Sequence, residues 1–422
     1  MRSMHATAWL ASAAIALLLV GASSAETIYV APKDSDDYAA AQELGGAAVE
    51  RSFHKGLTRA AELLNEPGAR TVSVLVAQGE YDGKVGLGIW EVPTIKNREG
   101  ALHLLGGYTN GFERRDPFGQ LTELVTSPGR NGPFITLEKN SELEQVIISG
   151  FVMDAYPSNA YDRKTDSLLR DRSRTYPMLA FEYLKTNSLV IADNVFINGP
   201  HGVFDPLIVP LSPEATVDIQ NNYFLNNIKP MQIGAGISPV KEVRLSGNTF
   251  LLNWPYNPDT TSSNVGAVSL HNSGSSDHLL IEGNLFTYNV GGALQHDWPE
   301  DRMPEVTIRD NWFYQNATLF GNDGADAGVV VGKFGTNPIY MVLDLETLED
   351  DFDYTVEGNV AGDPLLEVNL GLTTSEDDDD VKLSGYAPRM RFEIPTPGDE
   401  DAQAYGAKSG SILEPGGEPN DE

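Results

Sequence analysis

The residue types in this chain that could do chemistry are Asp205, Gln232, His271, the adjacent His296 and Asp297, and Lys333. A histidine beside a carboxylate can work as a general base with its orienting partner, and a desolvated lysine can take a proton from a sugar ring. The plain alternatives are a turn histidine next to a turn aspartate, and a lysine that solvates an edge. His271 and His278 flank the Gly/Ser-rich stretch 272–277, as binding or merely surface residues. A metal site built from His271, His296 and Asp297 would lack the tight histidine spacing such sites use. A second group lies between Tyr156 and Pro177, where Arg163, Lys164, Arg170, Arg172 and Arg174 stand against Asp162, Asp166 and Asp171. Guanidinium forks such as Arg170 and Arg172 suit carboxylate or sulfate groups on a polyanionic glycan; a charge-balanced loop is the other reading. The aromatics Tyr156, Tyr161 and Tyr176, with Trp254, Tyr256 and Trp298 on other loops, offer faces on which sugar rings stack.

These residues must be positioned by a repeat. The segments 217–227, 243–253, 279–289 and 306–316 each hold a short alternating run followed by Asn-x-Phe-x-x-Asn; a looser copy carries Asn194 and Phe196, and weaker ones lie at 146–151 and 354–359. The first asparagine recurs at 194, 222, 248, 284, 311 and 359, with gaps of 28, 26, 36, 27 and 48 residues. Asparagine tolerates left-handed backbone and bonds its own turn, which suits a sharp corner between strands. The phenylalanine two residues on is expected to point inward and stack on its copies. One unit cannot bury that face alone, so neighbours must stack, and a propeller blade would need about 40 residues and four strands. A coil of two or three short strands per turn fits, a parallel β-helix. Asp205, Gln232, His271, His296, Asp297 and Lys333 fall on the strand after the corner. Stacked in register, they would form one ribbon at about 4.8 Å per rung.

The ends differ from this middle. Arg2, an apolar run from Ala8 to Val20 and small residues at Ser23 and Ala25 form the pattern of a secretory signal, so Glu26 is the expected mature N-terminus. From Pro395 onward Pro, Gly, Asp and Glu dominate, a composition that cannot offset its ordering entropy. The run Ser375–Asp380 could hold Ca²⁺, yet it lacks the spacing and glycine of a defined calcium loop, and a solvated acidic loop fits it better.

Composition narrows the partners. In 422 residues, 60 Asp and Glu stand against 29 Lys and Arg, a net charge of -31 that argues against nucleic acid and anionic membrane surfaces. The absence of Cys excludes disulfides, thiolate metal sites and thiol nucleophiles. The charge also opposes polyuronate substrates, unless the basic stretch or bridging Ca²⁺ offsets it.

The repeat, the opening run Thr27–Pro32, the amphipathic stretch Phe53–Leu64 and the alternating Val72–Asp82 resemble the right-handed parallel β-helix superfamily, the pectate-lyase-like group of secreted bacterial proteins. Gly106-Gly107-Tyr108 followed by Arg115-Asp116-Pro117 is similar to a segment common in its uncharacterised secreted members. The likeness covers about residues 27 to 370. It implies an all-β solenoid with an N-terminal capping helix and a groove along the outside that takes polysaccharide. The motif sets of its hydrolases, pectate lyases and alginate epimerases are missing; Gly199-Pro200-His201-Gly202 matches one only faintly.

The expected organisation is a signal peptide at 1–25, an opening strand, capping helix and first rungs at 26–105, repeats at 106–370, a closing segment at 371–394 and an acidic disordered tail at 395–422. The expected function is an exported protein, secreted or periplasmic and monomeric, with polysaccharide as partner. It would bind, and as a lyase, hydrolase or epimerase modify, that polymer, with Ca²⁺ as the one cofactor left open. No nucleic acid and no membrane insertion after signal cleavage are expected. The alternative is a non-catalytic surface or matrix protein with a structural or adhesive role.

Overall fold

In each repeat, alternate residues of the run before the asparagine are apolar: Val217 and Ile219, Val243 and Leu245, Leu279 and Ile281, Val306 and Ile308. An extended chain sends these to one side, where all are buried. The computed structural model describes residues 24–68, 70–82, 89–125, 134–156, 161–162, 167–168, 177–181, 183–199, 204–205, 208–228, 230–233, 240–254, 266–271, 276–297, 305–317, 329–331, 341–343, 345, 349–350, 353–367 and 390–413.

The described strands form three large sheets of 14, nine and nine strands, almost entirely parallel. One turn of chain visits each sheet once: Thr216–Gln220 in the first, Tyr223–Leu225 in the second and Met231–Ile233 in the third, before Val240–Ser246 returns to the first beside Thr216–Gln220. The fold is therefore all-β with long stacks of parallel strands, compatible with a parallel β-helix and with three strands per repeat. A small antiparallel hairpin, Tyr161–Asp162 with Ser167–Leu168, falls within the stretch that holds the basic residues.

The corner between the first and second sheets corrects one expectation. The left-handed residue is the one before the asparagine, at Asp193, Asn221, Gly247, Gly283, Asp310 and Gly358, with φ between 51° and 65°. The asparagine has another task. Asn284 Oδ1 accepts from Asn248 N–H at 2.9 Å and from Asn248 Nδ2 at 3.0 Å. Its own Nδ2 donates to Leu245 O at 3.0 Å and to Asn311 Oδ1 at 2.9 Å. The same pattern links Asn194, Asn222, Asn248, Asn284, Asn311 and Asn359 from rung to rung. The second asparagine of the motif builds a parallel ladder through Asn253, Asn289 and Asn316. Backbone groups that leave the strand pairing at a corner are thus satisfied by side-chain amides, which inside the ladders use both donors and the oxygen.

Between the ladders, Phe196, Phe224, Phe250, Phe286 and Phe313 stack at centroid distances of 5.1, 4.7, 4.8 and 5.2 Å, as expected. That spacing is the separation of paired strands, so the rings inherit it from the backbone. Two helices lie near the start of the described chain. Ser35 Oγ accepts from Tyr38 N–H at the N-terminus of α1 (Asp36–Leu44). Helix α2 (Phe53–Leu64) buries Phe53, Leu57, Ala60, Ala61 and Leu64 in the same core as Ile28, Val30, Val72 and Val74. It lies so close to the strands that a Cβ on Gly56 would sit 2.7 Å from Val30 Cγ2. The first strand spans Ser24–Val30, and Ser24 and Ala25 pair with Arg70 and Thr71. Residues 1–23 of the expected signal lie outside the described residues.

The C-terminal segment departs from expectation. Residues 395–413 are not a disordered tail but run packed across the outside of the sheets, while 414–422 lie outside the described residues. Met390 pairs with Asn198 through both N–H and C=O, and Phe392, Ile394 and Ala407 pack on a cluster that includes Tyr223, Leu225 and Leu251. Farther on, Lys408 N–H donates to Asn221 Oδ1 at 2.5 Å and Leu413 is buried. A few apolar residues in a polar segment suffice because the surface that receives them is already apolar.

Candidate functional site

Of the residues expected to form one ribbon, Asp205, Gln232, His271, His296 and Asp297 lie on the third sheet, and the pairing distributes them over adjacent columns. Gln232 lies opposite Ser269, which lies opposite Gln295, which lies opposite Val330. His271 opposes Asp297, two positions along. His296 opposes Leu270 and Val331, in the column of Ile233, whose side chain is buried like that of Leu270. Asp205 opposes Ala180. Lys333, Tyr256, Trp298, Arg170, Arg172 and the acidic run Ser375–Asp380 lie outside the described residues. Trp254 corrects its expected role as a sugar platform: it is 2% exposed, and its indole N–H donates to Asn226 Oδ1 at 2.8 Å.

A richer polar surface lies on the outer face of the first sheet, in its later rungs. Thr216, Glu242, His278 and Glu305 form one column of paired residues, and Asp218, Arg244, Leu280 and Thr307 the next. Glu282 and Arg309 pair in the column beyond. Strand alternation sends these side chains outward while Val243, Leu245, Leu279 and Ile281 go in. His278 Nδ1 lies 2.9 Å from Glu242 Oε2, and its Nε2 lies 3.1 Å from Thr307 Oγ1. Arg244 Nη2 donates to Glu242 Oε1 at 3.0 Å, and Arg309 holds Glu282 Oε2 through Nε at 3.0 Å and Nη2 at 2.6 Å.

Burial pushes the Glu242 carboxyl up, but His278 and Arg244 outweigh it and hold the group below its ordinary value. Asp218 goes the other way: burial raises it, Glu242 adds to the rise and Arg244 opposes it. With the His278 proton on Nδ1 and given to Glu242, Nε2 is free to accept from the Thr307 hydroxyl. A carboxylate, an imidazole and a hydroxyl in series can move a proton. The neighbouring strand N–H groups lie in the plane of the sheet and serve the ladder, so the arrangement suits binding and proton transfer better than capture of a developing oxyanion.

Elsewhere, Arg115 and Asp193 form an ion pair at 3.0 Å, with side chains 1% and 0% exposed. Arg115 also donates to Gly106 O at 3.0 Å, to Ser149 Oγ at 2.5 Å and to Ser411 Oγ. Ser411 Oγ donates to Asp193 Oδ2 at 2.8 Å, so the pair anchors the C-terminal segment. The Gly106-Gly107 and Arg115-Asp116-Pro117 motifs meet here: a Cβ on Gly107 would lie 2.6 Å from Pro117 Cα, and Asp116 N–H donates to Gly107 O at 2.8 Å. The motif is structural. An open cavity of about 440 Å³ beside it is lined by Arg114, Arg115, Asp116 and Ser409–Ser411.

Sequence reasoning followed the strand after the asparagine corner and passed over Asp218, Glu242, Arg244, Glu282, Thr307 and Arg309 on the strand before it. Aligning the repeats on their asparagines would have found them, since charged residues recur there at alternate positions. Among the described residues no group of three or more His, Asp or Glu could hold a metal ion, and no helix is long and apolar enough to cross a membrane. No protein-family model matches the chain, and neither curated proteins nor solved structures give a match.

Proposed function

We propose that the chain is an exported right-handed parallel β-helix of the pectate-lyase-like kind, with helix α2 as its N-terminal cap, that binds polysaccharide along the outer face of the first sheet. The observation that carries this reading is the polar row of Thr216, Asp218, Glu242, Arg244, His278, Glu282, Thr307 and Arg309 on four successive paired strands. Strands about 4.8 Å apart offer donors and acceptors at a fixed repeat, which suits the hydroxyls of an extended polymer better than a compact ligand. The Glu242, His278 and Thr307 series is where a lyase, hydrolase or epimerase step would move its proton. One observation favours a non-catalytic surface or matrix role instead: Arg244, Arg309 and His278 already have carboxylate partners.

The test is retardation of the full chain in gels cast with neutral, uronate and sulfated polysaccharides, paired with reducing-end release, with and without Ca²⁺. Retardation by at least one polymer supports the binding reading, and retardation by none overturns it. Release that falls by orders of magnitude in His278→Gln makes the protein an enzyme acting on this face. Binding without release leaves the surface or matrix role, or an epimerase that cuts no bond.

A further inference from the structure

In a chain of net charge -31, one corner gathers several basic side chains around a single carboxylate. Where the third sheet turns into the first, Lys96, Glu142 and Lys185 are register partners on successive strands. Lys185 Nζ lies 3.0 Å and Lys96 Nζ 3.4 Å from Glu142 Oε1, and Arg98 Nε lies 2.5 Å from Glu142 Oε2. Three cations thus share one carboxylate. Lys96 and Arg98 remain 52% and 66% exposed, so their charge is presented to solvent. Lys96 also reaches Asn140 O at 2.5 Å, which brings in the neighbouring Lys139. Two further carboxylates lie here, Glu138 held by Thr94 N–H and Oγ1 and Glu144 by Asn187 Nδ2, both facing neutral donors.

Lys139 Nζ stands 5.5 Å from the ring centroid of Tyr183. Among the described residues Tyr183 is one of three large hydrophobic residues exposed to solvent, at 48%, and its φ is +59°. A bulky side chain in left-handed backbone is an outlier that packing does not require here, because the ring is not buried. An exposed ring with cations beside it is the combination that takes a sugar's C–H face together with an acidic substituent.

We infer that this corner binds an anionic sugar unit, one bearing a sulfate or a carboxylate, with Tyr183 against the ring and Lys96, Arg98, Lys139 and Lys185 on the charged group. The inference rests on the polysaccharide reading and names a charge class for it. Cations that touch the ligand act at shorter range than the chain's summed negative charge, which salt screens beyond a Debye length.

The experiment measures the affinity of the full chain for dextran sulfate, polygalacturonate and neutral dextran by gel retardation, in the wild type and three variants. Tyr183→Gly removes the ring and places at φ +59° the residue that prefers it, so the fold should be kept or strengthened. Binding of dextran sulfate or polygalacturonate is expected to fall at least tenfold in Tyr183→Gly and in the double variant Lys96→Gln/Arg98→Gln. It is expected to rise in Glu142→Gln, which releases the three cations. Which polymer responds separates sulfate from carboxylate recognition. Unchanged binding in Tyr183→Gly, or equal binding of neutral dextran, overturns this site and leaves the polysaccharide reading standing. No retardation by any of the three polymers in the wild type overturns both.

Discussion

The outer face of the first sheet has two halves. In the earlier rungs many of its outward residues are apolar and covered: Leu105, Ile147, Val190 and Ala192 lie in one cluster with Ala41 of α1, Phe112 and Leu413, while His103 and Ser149 share their columns. In the later rungs the same outward positions hold Asp218, Glu242, Arg244, His278 and Glu282, which remain partly exposed. The inner faces do not differ, since one core runs from Ile28 to Tyr354. The repeat therefore specifies the scaffold along its length, and only the outward alternate residues decide whether a stretch is wrapped by its own chain or left open for a partner.

The largest expected effect tests the wrapped half. Arg115→Met leaves Asp193 buried without its cation, and such a break is worth about 3–5 kcal/mol. Urea unfolding should register that loss, and limited proteolysis should cut first within 405–413. Phe250→Ala, in the shared core, opens a cavity in the middle of the ring stack and should lower stability by about 3–5 kcal/mol. Asn284→Ala follows: Asn248 N–H and Leu245 C=O lose their partner, at about 1–3 kcal/mol for each group left unsatisfied. In the open half, Arg309→Gln removes a partly exposed pair with Glu282, so its effect on stability should stay below about 1 kcal/mol while polysaccharide binding falls. If Arg309→Gln proves as destabilising as Arg115→Met, the two halves are not distinct.

The pH response sharpens the comparison at its smallest scale. Hydrogen bonds from Arg98, then Lys185 and Lys96, hold the Glu142 carboxyl at about 2, below its ordinary 4.5. A group depressed in the folded state gives its stability in full above the ordinary value and loses it as pH falls through the folded one. Carboxyl titration by NMR should find Glu142 ionised well below pH 4.5, with the loss confined to the window down to about 2. Asp218, raised by burial, has the opposite sign: its ionisation disfavours the fold as pH rises, and Asp218→Asn should remove that penalty at neutral pH.

Much of the fold was legible because the Asn-x-Phe-x-x-Asn spacing ties a corner, an inward ring and a second corner to one period. What was misassigned was the left-handed position, one residue earlier, since Asp193, Asn221, Gly247 and Asp310 share no residue type that would reveal it. The asparagine ladders were hidden because each bond joins residues 26 to 48 positions apart, visible only once the rungs are stacked. Trp254 reads as a loop aromatic in isolation, yet it sits one residue past Asn253 and reaches across to Asn226. The C-terminal segment misled through composition, which records few apolar residues but not the apolar strip awaiting them at Tyr223, Leu225 and Leu251. The candidate site was legible in kind, as polar residues on stacked strands, but sought on the strand after the corner rather than the one before.

The most direct test is carboxylate footprinting of the full chain by carbodiimide labelling, with and without a saturating polysaccharide from the binding panel. Glu242, Glu282 and Glu305 should be protected when the polymer is present, while Glu43 and Glu62 on the two helices label at unchanged rates. Protection confined to the helices, or no change at any carboxylate of the open half, would contradict the assignment of binding to this face.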